Sequence, residues 1–177
     1  MLSLFRKLIE EKEEEHRLLQ LLKKLNTEKV MHKEGNFFEH LFGTYRLLKK
    51  WGYEKPVCYA GLFHSIYGTQ VFKRMTIPYE KRELMQKTIG NEAEKLVYLF
   101  SVIDRPQAFT NFTRPPIFKN MVTSELIQVS EYDMKNLIAI EIANLIDQKA
   151  DKKLISQIKK PPSLTKETIV AANSYVG

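Results

Sequence analysis

The chain has 177 residues, 44% of them hydrophobic, which is enough for one domain with a substantial core. Its formal net charge is +7, but the basic residues are interspersed with acidic ones and form no basic block with interleaved aromatic residues. Nucleic acid is therefore not an expected partner. No apolar run approaches the roughly 20 residues of a membrane-spanning helix, so we expect no membrane partner either.

Cysteine content and the N-terminus indicate the compartment. The only cysteine, Cys58, cannot form an internal disulfide, and it stands in the apolar run VCYAGLF without a zinc-type partner. We interpret it as a core residue. The N-terminal stretch MLSLFRKLIEEKEEEH is too charged for a secretory signal. These features favour a cytoplasmic protein.

Apolar periodicity predicts helices throughout the chain. Residues 2–25 form an amphipathic helix, or two helices that meet near Glu13, because a charged run separates their apolar positions. A polar loop follows at residues 26–35. We divide the chain there into an N-terminal helical extension, residues 1–35, that packs on the domain, and a helical domain, residues 36–177.

Capping residues predict where the next two helices begin and end. Asn36 has the character of an N-cap for a helix that ends at Trp51, where Gly52 supplies the stop. Pro56 suits the first turn of the following helix, which we expect to continue to Gly68. The two helices are therefore joined by a tight turn.

Glycine and proline divide the region that follows. A helix from Pro78 to Ile89 ends at Gly90, and Asn91 is predicted to cap the next helix, which carries LVYLFSVI into the core. Residues 105–123 contain prolines and aromatic residues without a period, and we predict a long loop that packs on the domain or covers a site.

The C-terminal part is also helical. Ser130 caps a helix through Ile146, Pro161 and Pro162 break the pattern, and residues 165–173 form a short final helix. The sequence shows no β-hairpin signal. The prediction is an all-α single domain.

Two histidines flank the tight helix junction. His40 and His64 are 24 residues apart, and each stands in a helix with an apolar face. The small residues Gly43 and Thr44 lie one turn from His40 and leave space for a ligand. Imidazole nitrogens on an apolar wall suit a buried divalent metal ion. The alternative is that both are core histidines bonded to a backbone carbonyl or a tyrosine.

The segment HLFGTYRLLKKWGYEKPVCYAGLFHSIYGT resembles the HD superfamily of metal-dependent phosphohydrolases, and its layout is nearest to the branch that hydrolyses the alarmone (p)ppGpp. The similarity covers roughly residues 36–148. LMQKTIGNEAEKLVYLFSVID resembles the family's helix–Gly–helix unit, and IEIANLIDQ resembles the helix of its last metal-ligand aspartate. An uncharacterised bacterial group of HD-like domains with an HSIYGT-type motif is similar as well. The resemblance implies a single HD-like helical domain.

This chain departs from that family at the metal-binding positions. Ser65 replaces the aspartate of the His-Asp pair, and Asn144 replaces the distal aspartate. By resemblance, His40, His64 and Asn144 would hold one divalent ion of Mn, Fe or Zn. Hard cations favour carboxylate ligands, so a set without one binds them weakly. The sequence is therefore compatible with a site that binds a metal ion and with a pocket that binds none.

The resemblance implies a divergent HD-type hydrolase that acts on a small phosphorylated or nucleotide-like molecule. The expected catalytic residues are His64, His40 and Glu141, and the expected substrate contacts are Ser65, Tyr67, Thr69 and Thr44. Two alternatives remain open: a metal-free HD-like domain that binds a small molecule, and a protein-interaction module. In the second, the long N-terminal helix and the aromatic loop 106–118 form a protein interface, and the leucine-rich residues 18–25 favour a homodimer.

Other polar residues have two interpretations each. Glu141, Asn144 and Gln148 form a stripe that is either an exposed helix face or a pocket wall. An inward Glu141 would restore a negative charge or serve as a general base. Arg105 follows a helix end, where it makes an ion pair or lines the pocket, and Arg46 faces solvent or contacts a phosphate. His16 and His32 are excluded as ligands.

Overall fold

The computed structural model describes residues 2–25, 27, 31–32, 35–70 and 72–177. This part of the chain forms an all-α single domain, as predicted. Its eight α-helices are α1 (Leu2–Lys24), α2 (Phe37–Lys50), α3 (Lys55–Phe63), α4 (Arg82–Ile89), α5 (Asn91–Val102), α6 (Glu131–Asp147), α7 (Lys152–Gln157) and α8 (Lys166–Val176). Two 3-10 turns lie at Tyr79–Lys81 and Gln107–Phe109.

The core lies between four of these helices. Helix α2 packs on α3 and α6, and α3 packs on α5. Each contributes fully buried side chains, among them Leu48, Leu62, Phe100 and Ile138. Helix α6 is apolar around most of its circumference because it runs through the centre of the domain. The four helices therefore enclose an interior that can also contain polar side chains.

Most of the predicted helix ends are confirmed. The side chain of Asn36 accepts a hydrogen bond from the Glu39 backbone N–H at 2.8 Å, and Gly52 follows α2 with a φ of 76°. Pro56 lies in the first turn of α3. The helix is shorter than expected, because it ends at Phe63 and residues 64–67 form a turn.

One capping prediction is wrong. Asn91 is the first residue of α5, its side chain makes no cap bond, and the preceding Gly90 makes the turn with a φ of 89°. Glu94, three residues after Asn91, is fully buried. Its carboxylate accepts hydrogen bonds from Tyr67 Oη at 3.0 Å and from Arg82 Nε at 2.6 Å. A buried ion pair has taken the place of the expected cap.

The structure contains short strands that the sequence did not indicate. Antiparallel pairs join β1 (Met31–His32) to β2 (Gly35–Asn36) and β3 (Ile117–Lys119) to β4 (Leu126–Gln128). Strand β3 falls inside the predicted loop 105–123. Three residues are too few for a recognisable alternation of apolar and polar positions. Helix α7 was missed for the same reason of length.

The N-terminal helix is one continuous element that reaches the main core. Leu18 and Leu22 are buried there, and the ion pairs Glu14–Lys55 and Glu15–Lys49 lie beside them. Most of the polar loop predicted at 26–35 lies outside the described residues, as does the side chain of His32. No helix of the described part is long and apolar enough to cross a membrane.

Cys58 is a core residue, as predicted. It is buried, and its thiol donates to the backbone carbonyl of Tyr53 at 3.3 Å. Burial raises the pKa of the Cys58 thiol to about 11. The thiolate is therefore scarce at neutral pH, which is the behaviour of a packing residue.

Candidate functional site

The contact of α2 with α3 brings His40 and His64 together. Their Nε2 atoms are 3.2 Å apart and the two ring planes are nearly perpendicular, at 88°. His40 is 6% exposed and His64 is completely buried. Residues 24 positions apart thus form one contact inside the core.

The other nitrogen of each ring faces an acceptor. His40 Nδ1 lies 2.7 Å from Asp147 Oδ2, and His64 Nδ1 lies 2.7 Å from the carbonyl oxygen of Gly61. A carbonyl and a carboxylate only accept, so each Nδ1 carries a proton. Both Nε2 atoms would then present lone pairs to each other, so a hydrogen bond between the two rings requires a third proton on one of them.

The residues around the pair do not fit a divalent metal ion. Structural metal sites need about four ligands, and within the described residues no group of three or more His, Cys, Asp or Glu side chains could hold an ion. Asn144 is engaged elsewhere: its amide accepts from Gln148 at 2.5 Å and donates to Glu141 at 3.2 Å. The amide nitrogen of Gln148 lies 3.4 Å from His40 Nε2. The polar groups around the pair are thus used in hydrogen bonds within the protein.

A buried ion pair joins Glu141 of α6 to Arg105, which follows α5. Arg105 Nη1 donates to Glu141 Oε2 at 2.5 Å, and Arg105 Nε donates to the carbonyl of Phe100 at 2.9 Å. The guanidinium carbon lies 3.5 Å from the Phe100 ring centroid. Burial lowers the pKa of Arg105, and the Glu141 carboxylate opposes that shift. Both charges are thus held by specific partners inside the protein.

The polar stripe of α6 is an inward face. Glu141 and Asn144 are buried, and Gln148 continues the stripe one turn later. Hydrogen bonds through these three residues link Arg105 at one end to His40 at the other. The two halves of the site are therefore one connected polar network in an apolar core.

A cavity of about 120 Å³ lies beside this network. Its polar lining residues are Ser65, Thr69, Arg105, Glu141, Asn144 and Gln148. Of the guanidinium nitrogens of Arg105, Nη1 and Nε make the bonds to Glu141 and Phe100. The cavity therefore presents a guanidinium and a carboxylate side by side.

The expected site residues separate into two groups. Ser65, Thr69, Glu141 and Asn144 line the cavity, whereas the buried His40 and His64 are not among its lining residues. Thr44 donates to the backbone carbonyl of its own helix at His40, at 3.1 Å.

Tyr67 was expected at the mouth of the pocket, but it points into the core. It is 1% exposed, and its hydroxyl donates to Glu94 at 3.0 Å. The neighbouring carboxylate and burial raise the pKa of Tyr67, with burial the larger cause. The tyrosine is a structural part of the Arg82–Glu94 ion pair.

Asp147 is a site residue that the sequence analysis did not single out. It follows Asn144 by three positions, so helical spacing alone would have placed it near the inward face. A second signal was Gly43: a β-carbon there would collide with the Asp147 carboxylate. The carboxylate orients His40, which is how a second residue commonly fixes an imidazole.

The comparisons with known proteins give one match. The family described as a domain of unknown function (DUF6817) matches residues 21–105, just under half of the chain. The matched range contains His40, His64, Ser65 and Arg105, and it ends before α6. Neither a curated protein nor a solved structure matches the chain.

Proposed function

We propose that the cavity binds a small polar molecule without a metal ion, and that Arg105 recognises it. The observation that carries this proposal is the Arg105 guanidinium, which is only 6% exposed and lines the cavity next to its partner Glu141. Its bonds to Glu141 and to the Phe100 carbonyl fix its position, so it can meet a ligand without rearrangement. A ligand oxygen in the cavity would accept a hydrogen bond from it.

The size of the cavity limits the ligand. Its volume is about 120 Å³, whereas sites for drug-sized ligands usually have about 300 to 1,000 Å³. The ligand is thus smaller than a nucleotide.

The charges around the cavity indicate the kind of polar group. Arg105 and Glu141 together are neutral, so the wall offers a donor and an acceptor side by side. A molecule with an amide or an α-amino acid group complements both, since it accepts from the guanidinium and donates to the carboxylate. Ser65 and Gln148 would contact the remainder of such a ligand.

Metal-dependent hydrolysis of a phosphorylated substrate stays a prediction from the HD resemblance. The Nε2 atoms of His40 and His64 are two possible ligands, but the nearby Asp147 carboxylate bonds His40 Nδ1 instead, so we derive no metal-dependent step. His64 has no ring nitrogen left for a substrate, because its Nδ1 bonds Gly61 and its Nε2 contacts His40. The geometry supports binding better than this form of catalysis.

The test is a thermal-shift and calorimetric screen of small amides, amino acids and carboxylates against the purified protein. Ala150 lines the cavity, so Ala150→Leu should fill it and abolish binding. Val170→Leu on the exposed surface of α8 is the control and should bind as the wild type does. Equal binding to Ala150→Leu, or no binding by any compound of this class, would overturn the proposal.

Elemental mass spectrometry of the wild type and His64→Ala tests the metal-free part separately. We expect far less than one equivalent of Mn, Fe or Zn in either protein. About one equivalent in the wild type that is lost in the variant would show a metal centre instead.

A further inference from the structure

A second depression, much larger than the cavity, lies between α1, α2 and the C-terminal end of α6. Its volume is about 640 Å³, within the range of about 300 to 1,000 Å³ that is usual for ligand sites. Half-buried Phe42, Leu47 and Ile146 form its apolar part, and exposed Arg46, Lys49 and Lys50 form its basic part. We call it the α2 groove.

The basic side chains of the α2 groove are not equivalent. Lys49 is paired with Glu15 at 2.5 Å, and the Tyr45 hydroxyl donates to the same carboxylate at 2.6 Å. Within the described residues, neither Arg46 nor Lys50 forms an ion pair. Two cations on successive turns of α2 are therefore available to a ligand.

The acidic side chains of the groove do not cancel these charges. Glu15 is already engaged by Lys49 and Tyr45, and Asp147 bonds His40. Glu15 Oε2 and Asp147 Oδ2 thus have partners inside the protein, and the lining as a whole carries three cations against two carboxylates. The groove presents a net attraction for an anion at its Arg46 and Lys50 end.

The apolar part favours an aromatic body. The rings of Phe42 and Tyr45 are nearly parallel, 6.0 Å apart with 15° between their planes, and the Arg46 guanidinium carbon lies 5.9 Å from the Phe42 centroid. Flat rings pack well against such faces, and the guanidinium can stack on a ring while it binds an oxyanion.

We propose that the α2 groove binds an aromatic molecule bearing a phosphate or carboxylate group. The ring packs against Phe42, Leu47 and Ile146, and the anionic group is held by Arg46 and Lys50. This site is separate from the cavity and does not depend on the function proposed for it.

The experiment compares three probes by calorimetry: 1-naphthyl phosphate, inorganic phosphate and 1-naphthol. The first combines ring and anion, and the others present each alone. We expect 1-naphthyl phosphate to bind at least about tenfold more tightly than either of the other two. Equal affinity for inorganic phosphate would reduce the site to a basic patch and overturn the proposal.

Variants test whether the probe binds in the α2 groove. Arg46→Glu combined with Lys50→Glu should weaken 1-naphthyl phosphate at least about tenfold, and Phe42→Ala should weaken it about tenfold while leaving inorganic phosphate unchanged. Lys119→Glu, an exposed residue on β3, makes the same kind of charge change elsewhere and should have little effect.

Arg46 and Lys50 are exposed, so their replacement leaves the core intact, and circular dichroism checks this for each variant. Equal weakening by Lys119→Glu would show a general charge effect and overturn the site. Unchanged binding in the Arg46 and Lys50 variant would overturn it as well. The Ala150→Leu protein should bind the probe normally, and loss of binding there would place the probe in the cavity instead.

Discussion

Gly43 on α2 faces Asp147 on α6 so closely that a β-carbon at position 43 would occupy the place of the carboxylate. This close approach lets Asp147 reach His40 Nδ1 at 2.7 Å. Glycine inside a helix is less favourable than alanine by about 1 kcal/mol. The glycine is explained here by the space that the carboxylate needs.

The first prediction concerns this contact. Gly43→Ala should displace the Asp147 carboxylate and break its bond to His40. We expect the free energy of unfolding to fall by about 1 to 3 kcal/mol, despite the better helix propensity of alanine. Urea denaturation measures the change.

Asp147→Asn is the matched control, since it keeps the shape and the acceptor oxygen while removing the charge. It should be less destabilising than Gly43→Ala. A Gly43→Ala protein as stable as the wild type would show that the helices can separate slightly at no cost, and that the contact is not required.

The second prediction concerns the buried pair of Arg105 and Glu141. Replacing either residue, as in Arg105→Met or Glu141→Leu, leaves the other charge buried without its partner, at a cost of about 3 to 5 kcal/mol. The double variant should cost clearly less than the two single changes added together. Chemical denaturation of the wild type, the two single variants and the double variant gives the coupling free energy between the two residues.

The exposed pair Glu83–Lys87 serves as the control cycle, because both side chains are more than two-thirds exposed. Its coupling should be close to zero. If the effects of the Arg105 and Glu141 substitutions also add without coupling, the two charges do not stabilise each other, and the prediction is wrong.

The third prediction concerns the protons of the histidine pair. Because Gly61 O and Asp147 Oδ2 are acceptors, His64 and His40 should both be protonated at Nδ1. Long-range proton–nitrogen correlation spectra of protein with labelled histidine report this directly. The exposed His16 should show an ordinary mixture of tautomers in the same spectrum.

A spectrum with His64 protonated only at Nε2 would contradict this assignment. Its Nδ1 would then face a carbonyl oxygen without a proton, and the ring would have to turn. Such a result would also remove the argument for a third, shared proton between His40 and His64.

The helical class and most helix ends could be predicted from the sequence, because they depend on local patterns. Apolar periodicity and single residues such as Asn36 and Gly52 determine them within a few positions. The length of α3 could not be read in this way. Residues 64–67 form a turn whose side chains are buried, and local propensity does not report such packing.

The candidate site was only partly predictable. The structure brings His40 of α2 and His64, which directly follows α3, into contact at 3.2 Å, and spacing along the chain does not by itself predict that distance. The sequence could not show whether Glu141 faces inward. The helical period groups Glu141 with Asn144 and Gln148 on one face, but it does not tell which face of an otherwise apolar helix is buried. Its partner Arg105 comes from a loop after α5, and such tertiary pairs have no local signal.

The fourth prediction concerns the attachment of α1 at low pH. The pKa of Glu14 is lowered, mainly by its hydrogen bond from Lys55, against the opposing effect of burial. Burial alone would raise the pKa of Glu15, but hydrogen bonds from Lys49 and Tyr45 outweigh it and the pKa is lowered. Both carboxylates therefore bind protons more weakly in the folded protein than in the unfolded chain.

A lowered folded pKa contributes stability that is fully present above the unfolded value of about 4.5 and is lost as the pH falls through the folded value. Relative to Glu14→Gln combined with Glu15→Gln, the wild type should be more stable at pH 7, and the difference should shrink below about pH 4.5. Urea denaturation at several pH values measures it, with exposed Glu83→Gln as the control. A difference that stays constant down to pH 3 would mean that these carboxylates do not hold α1 through their charge.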